Sequence, residues 1–189
     1  MAPREPKLFF SMDILVIYLA LSFFLIVFTF VMAYKFLGYI YPFLFWGGIY
    51  VPTSDSRVKA MIKLLALKPG ERFVDLGAGD GRLIIEAGKA GAEAYGYEIN
   101  PFLVKLVRKK ICETGLDKKA FVFQKNLWHQ NLRGFDAVAV YPMRHMMKKL
   151  ERKFEKELKP GAKVVSNYFR LPSWTPVSKE DNIYFYIKE

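Results

Sequence analysis

The sequence predicts an α/β fold: a Rossmann-like, doubly wound, mostly parallel sheet behind one N-terminal transmembrane helix. Three observations carry this prediction. From Pro52 to the C-terminus, strand-sized apolar runs alternate with helix-sized amphipathic ones, the pattern of a parallel sheet with crossover helices. A glycine-rich stretch, "DLGAGDGR" at residues 75–82, overlaps the end of the first such strand. Residues 14–33 form a run of 20 positions without a charge.

The uncharged run comes first in the chain. At about 1.5 Å per residue it reaches roughly 30 Å, the thickness of a bilayer core. A cleaved leader has an apolar run of only about 7–15 residues before a small-residue cleavage site. This run is longer and large aromatics follow it, so it reads as a retained anchor between Asp13 and Lys35. Next comes "FLGYIYPFLFWGGIYVP", residues 36–52, interrupted by Gly38, Pro42, Gly47 and Gly48. Its Tyr and Trp residues favour the head-group layer, so it reads as an interfacial aromatic linker. Arg4 and Lys7 precede the anchor, whereas Lys35, Arg57, Lys59 and Lys63 follow it. That bias places the globular part in the cytoplasm of a single-pass protein. The expected organisation is an anchor over residues 1–35, the linker over 36–52 and one catalytic domain over 53–189.

Composition agrees. The chain has 189 residues, 52% of them hydrophobic, and a mean hydropathy of +0.10, with the excess in residues 8–51. Of the formal charge of +11, nearly all lies on the globular part, which carries 26 of 29 Lys/Arg and 16 of 18 Asp/Glu. Such a surface favours anionic partners, an anionic lipid surface among them. Cys112 is the single cysteine and reads as a buried helix thiol. With His129 and His145 as the only histidines and no Cys/His cluster, no metal site is predicted.

The elements follow in order. "TSDSRVKAMIKLLAL" opens with capping residues and repeats Val58, Met61, Ile62 and Leu65 at helical spacing. "RFVDL" is the first strand, and "RLIIEAGKAG" is a helix ended by glycine. "AEAYGYEI" is the second strand. "NPFLVKLVRKKICETGL" is a helix opened by Asn-Pro. "AFVFQKN" and "FDAVAVY" are the third and fourth strands. Residues 142–161 read as one long charged helix with Met143, Met146, Leu150, Phe154 and Leu158 on its core side. "AKVVSNYF" and "NIYFYIK" supply the fifth strand and a last one.

The glycine loop carries the chemistry. Gly77, Gly79 and Gly81 permit positive φ and let the backbone pass close to a ligand at the C-terminal edge of the sheet. A dinucleotide loop reads G-x-G-x-x-G and offers a helix N-terminus to a pyrophosphate. Here the spacing is G-x-G-x-G, with Asp75 and Asp80 beside it. Two carboxylates repel a pyrophosphate and suit a cation. Glu98, 17 positions after Gly81, ends the second strand, where an acidic residue accepts hydrogen bonds from ribose hydroxyls. A cation plus a ribose points to S-adenosyl-L-methionine.

"DLGAGDGR…GYEINP" resembles the first two motifs of class I methyltransferases. The likeness extends to "YVPTS", "EINPFLV", "NLWHQNL" and "MMKKLERKFEKELKPGAKVVSNYFRLPSW", most of residues 50–176. It is similar to the membrane-anchored lysine methyltransferases related to the ATP synthase c-subunit lysine N-methyltransferase, and to their smaller archaeal protein-lysine relatives. The resemblance implies methyl transfer from S-adenosyl-L-methionine to a lysine amine of a protein, possibly a membrane protein. It implies cofactor binding by Asp75, Gly77, Ala78, Gly79, Gly81, Glu98 and Ile99. Asn126 stands where the family usually has an Asp near the adenine, and an amide can also pair with the adenine edge.

Aromatic side chains at strand ends are the candidates for the methyl-accepting channel: Tyr141, Trp128 and Trp174, with Tyr168 and Phe169 beside them. His129 and His145 read as solvated. Two rival readings stay open. One is a methyltransferase acting on RNA or on a membrane-borne lipid or quinone; the chain contains no separate nucleic-acid module, which argues against RNA. The other is a non-enzymatic membrane docking protein that keeps the fold.

Overall fold

The computed structural model describes residues 12–46 and 50–189. The chain divides into two compact units, Met1–Phe45 and Trp46–Glu189. The first is built on one helix, α1 (Met12–Trp46). Its segment Asp13–Gly38, with a mean hydropathy of 2.9, is long and apolar enough to cross a membrane. Phe23, Phe30 and Tyr34 are more than two-thirds exposed, and apolar side chains point outward all round. Thr29 donates its hydroxyl to the Leu25 carbonyl at 2.8 Å, so this polar group is satisfied within the helix. The expected interruption differs from what is found: the helix continues through Gly38 and Pro42. A proline removes one N–H donor from a helix without ending it. Gly47 and Gly48 lie outside the described residues.

The second unit opens with α2 (Asp55–Leu65), stopped by Ala66 in the left-handed region. A seven-stranded sheet follows, in the order β3-β2-β1-β4-β5-β7-β6. β1 (Arg72–Leu76), β2 (Glu93–Glu98), β3 (Ala120–Gln124), β4 (Ala137–Val140) and β5 (Lys163–Asn167) are parallel. β7 (Ile183–Ile187) is antiparallel to both β5 and β6 (Ser178–Glu180). The sequence reading has no strand at β6. Its three residues are polar and pair on one side only, so they show no apolar period.

The chain steps outward from β1 to β3, then crosses back to β4. The switch therefore lies between β1 and β4, with Leu76 opposite both Tyr97 and Val140. α2, α3 (Arg82–Lys89) and α4 (Pro101–Glu113) cover one face through Met61, Leu65, Ile84, Val107 and Ile111. α5 (Met147–Glu157) covers the other with Leu150 and Phe154. This last helix is shorter than expected. A 3-10 turn, Arg144–Met146, precedes it, and Met147 rather than Met143 heads its buried stripe.

No long helix joins β3 to β4; the link holds only the short 3-10 turn Leu127–His129. The second face of β2 and β3 is closed by rings instead. Tyr95 packs 5.4 Å from Phe121 and 5.3 Å from Phe135, and the Arg72 guanidinium lies 5.0 Å over both Tyr95 and Phe135. Cys112 is exposed rather than buried. The inward stripe of α4 is Val104, Val107 and Ile111, and the next position along a helix turns about 100° away.

Gly81 is the N-cap of α3 at φ +80°, and a Cβ there would meet Val107 Cγ1 at 2.5 Å. Gly81→Ala should lower the unfolding free energy by about 2–4 kcal/mol. Adding Val107→Ala should relieve the clash without restoring stability, because the positive φ still penalises a side chain and a core cavity is added. Denaturant titration of the single and double variants checks this.

Candidate active site

The candidate site is the C-terminal edge of β1, β2 and β4, where the loop 77–81 leaves the sheet. Gly77 and Ala78 both donate their N–H groups to the Tyr97 carbonyl, at 2.9 and 3.1 Å. Gly96 in β2 makes room for this, since a Cβ there would lie 2.7 Å from that of Ala78. Sequence reasoning gave Gly96 no role; a glycine inside a strand marks a close approach. The three loop glycines have positive φ for different reasons. At Gly77, φ +100°, a Cβ would meet nothing within 4 Å. At Gly79, φ +55°, it would strike the Tyr50 ring at 2.8 Å, and at Gly81 it would strike Val107. Of the three, only Gly77 has open space where a side chain would begin.

The three acids beside the loop also differ. Glu98 is buried; its Oε2 accepts from the Gly79 N–H at 2.9 Å, and its Oε1 from the Ile99 and Asn100 N–H groups at 2.8 Å each. These bonds hold the end of β2 to the loop. Asp80 is engaged by cations of the chain itself. Its carboxylate accepts from Arg82 Nε and Nη2 at 2.9 Å and from Lys110 Nζ at 2.9 Å. Burial works against the charge, but these cations hold it far below the usual carboxylate range. The charge that the sequence reading offered to a ligand cation is met here by Arg82 and Lys110. Arg82 also donates to the Thr53 carbonyl and to Asp55, so it clasps the entry to α2 onto the loop.

Asp75 is the contrast. It is only 4% exposed, and among the described residues no hydrogen bond reaches its carboxyl. Burial, then Glu98, then Asp80 push its pKa well above the ordinary value. A buried carboxyl without a partner is costly, and a positive ligand would relieve the cost. At the end of β3, Lys125 donates its backbone N–H to the Glu98 carbonyl at 3.0 Å, which sets Asn126 near Glu98. Asn126 Oδ1 accepts from the Trp128 N–H at 3.0 Å, leaving the amide NH2 as a donor. Open backbone at Gly77, an unpaired acid, a held acid and an amide donor fit a positively charged, ribose-bearing adenosyl ligand such as S-adenosyl-L-methionine.

Of the aromatic candidates, Tyr141 reaches this edge. It stacks on Tyr168 at 5.6 Å with an interplanar angle of 14°. Burial, then Tyr168, raise its phenol pKa, with Arg57 opposing, so the ring is neutral at physiological pH. The Arg57 guanidinium lies 4.6 Å over the other partner of the stack, Tyr168. Arg57 donates to Asn167 Oδ1 at 3.0 and 2.7 Å and to Asp181 at 2.6 Å. Tyr168 itself has φ +70°, a strained value for a tyrosine. Arg57 is a site-edge residue the sequence reading missed; in "TSDSR" it looks like any helix-surface charge.

Trp174 is elsewhere. It packs on Phe154 and Tyr186, and Tyr186 pairs with Val164 near the start of β5, at the other end of the sheet. Trp128 lies in the 3-10 turn after β3, under the Lys149 ammonium at 4.2 Å. Phe169 packs into the core beside α5. His129 and His145 are both exposed.

Asp75→Asn should stabilise the unliganded chain and weaken S-adenosyl-L-methionine binding. The native carboxyl has a raised pKa, so the folded state holds its proton more tightly than the unfolded state does. The wild-type penalty is therefore absent below the unfolded pKa and grows as pH rises toward the folded one. The melting temperature gained by the variant, about 2–4 °C per kcal/mol, should be largest at neutral or higher pH and vanish near pH 3. Thermal melts across pH, with calorimetric titration of the cofactor, check both halves.

Comparisons with known proteins agree with this geometry. Residues 75–178 match the model of the ANTKMT methyltransferase domain. The chain is 38% identical over 127 residues to the ATP synthase c-subunit lysine N-methyltransferase of Rattus norvegicus, covering 67% of this chain and 58% of that one. It is 33% identical over 129 residues to a protein-lysine N-methyltransferase of Saccharolobus islandicus, covering 67% of this chain and 80% of that one. An RNA methyltransferase of Salinibacter ruber, solved with S-adenosyl-L-homocysteine, superposes with a TM-score of 0.70 at 32% identity, over 72% of this chain and 93% of that one. The chain spans about half the length of the mammalian relatives it matches. The chain belongs to the family defined by the ANTKMT methyltransferase domain.

Proposed function

We propose that this chain is a membrane-anchored methyltransferase that moves a methyl group from S-adenosyl-L-methionine to a lysine amine of a protein substrate associated with the membrane. The observation that carries the reading is Asp75, a buried acid that no hydrogen bond reaches, beside the open position at Gly77 and next to Glu98, which holds the glycine loop. The names of the rat and archaeal relatives direct the acceptor toward protein lysine.

When bound, the cofactor supplies an electrophilic methyl group on a sulfonium. The chain's own part is placement and electrostatics. Glu98 receives the ribose hydroxyls, Asp75 stands ionised against the positive charge, and the Asn126 amide meets the adenine edge. Gly77 and Ala78 bring the backbone close. The Tyr141–Tyr168 wall excludes water from the incoming lysine, whose ordinary pKa is about 10.4, and so favours its neutral, nucleophilic form. The amine's proton leaves to water. Alignment of amine and methyl group supplies most of the rate, and no dedicated base is required. Arg57 is a positioning residue for the tyrosine wall.

α1 crosses the bilayer once, with the domain on the cytoplasmic side. Lys105, Arg108 and Lys109 of α4 approach anionic lipid, alongside the exposed Phe102 and Leu106. A second reading, RNA as acceptor, draws on the Salinibacter ruber enzyme.

Native membranes incubated with the chain and methyl-labelled cofactor discriminate the two. Methyllysine in a small membrane protein supports the proposal, whereas label in RNA transfers it to the second reading. On whichever acceptor is labelled, Arg57→Met should lower kcat about tenfold, leave cofactor affinity unchanged, and be partly rescued by Arg57→Lys.

A further inference from the structure

Tyr50 lies four positions after the end of α1 and five before the start of α2. Its Cε2 and Cδ2 atoms stand 2.8 and 3.0 Å from where a Gly79 side chain would begin. The second loop glycine is thus a glycine because this ring needs its space. The Gly79 N–H is the one held by Glu98, so the ring borders the same stretch of loop that carries the ribose acid.

The segment holding the ring is fastened. Arg82 joins it to the loop at the Thr53 carbonyl and Asp55, and Asn167 Nδ2 donates to Thr53 Oγ1 at 3.4 Å. Asp80, gripping Arg82 with two hydrogen bonds, completes the clasp. Burial, then Asp80, raise the Tyr50 phenol pKa, so the ring stays neutral and its π face electron-rich. Even so, Tyr50 is 39% exposed. A ring packed on a ligand loop, fixed by an ion-pair clasp and still open on part of its surface, has room for a partner. The unpaired Asp75, in β1 just before this loop, favours a positive one. Aromatic faces attract cations through the ring quadrupole, an attraction that a neutral thioether, held only by weaker sulfur–ring contacts, does not share.

We infer that Tyr50 is a cofactor-contacting residue: its ring walls the glycine-loop side of the pocket and favours the cationic methyl donor over the neutral thioether left after transfer. This rests on the methyl-donor reading of the site and gives it a direction. The pocket holds the substrate form of the cofactor and releases the spent form, with the discrimination supplied by a residue next to the anchor rather than by the shared loop motif.

Calorimetric titration of the full chain in detergent tests it with three probes: S-adenosyl-L-methionine, sinefungin, in which an amine-bearing carbon replaces the sulfonium, and S-adenosyl-L-homocysteine. Tyr50→Leu should weaken the two cationic ligands about tenfold and the neutral one about threefold at most. Tyr50→Phe should stay within about twofold for all three, since the ring persists. Tyr50→Met, a second ringless variant, guards against a folding defect peculiar to leucine. Equal losses for charged and neutral ligands, or no loss, overturn the inference while leaving the cofactor site standing. Failure of the unmodified chain to bind any of the three overturns the methyl-donor reading and this inference together.

Discussion

A carboxyl group withdrawn from water without a hydrogen-bond partner is among the costlier things a small fold can contain. Asp75 comes near that state, 4% exposed with no hydrogen bond to its carboxyl among the described residues, and the neighbouring loop and strand ends are arranged around it. It is the last residue but one of β1, in the middle of the sheet, where the parallel neighbours β2 and β4 leave it almost no solvent. Glu98 and Asp80 lie close enough to raise its pKa further, and yet neither is free to move away. Glu98 is pinned by three backbone N–H groups and Asp80 by two cations. The unliganded protein therefore disfavours the charged form of Asp75 at one point of the sheet edge, a cost that either a proton or a positive ligand there lifts.

Around that point the loop is over-determined. Each glycine in it answers to a different neighbour: open space, the Tyr50 ring and Val107. The "GDGR" stretch works as a unit in a way its letters do not announce. Asp80 binds Arg82, and Arg82 reaches back to the residues that lead into α2. The segment following α1 in sequence is thus tied to the glycine loop by charge. A similar device operates at the end of β5. There Arg57, anchored on the buried Asn167, faces the strained Tyr168 and its stacked partner Tyr141.

Much of this was legible in the residues. The five parallel strands, the presence of a last one and the order of helices between them follow from apolar period and turn chemistry, which are local; the antiparallel direction of the last strand does not. The registers of Asp75 and Glu98 at strand ends follow from the same pattern. Where the reading fell short, the missing information was not local. β6 forms because β7 offers it an edge, not because "SKE" prefers extension. Trp174 resembles a channel aromatic by composition, but the chain after β5 carries it to the opposite end of the sheet. Cys112 sits one residue past the apolar stripe of α4, a difference of one position that turns it outward.

The sequence by itself determined the class of fold, the uncharged N-terminal helix and the kind of ligand, because apolar period and the spacing of glycines and acids along one strand–loop–helix unit are properties of consecutive residues. Tertiary structure alone decided which acid is left unpaired, which glycine faces the pocket and which aromatic rings meet there. Asp75 and Asp80 look equivalent in the string, five positions apart. They differ because Lys110, thirty residues downstream, folds back beside Asp80, while the sheet closes over Asp75. The charge state of a carboxyl depends on what surrounds it in space, and nothing in the chain order records that.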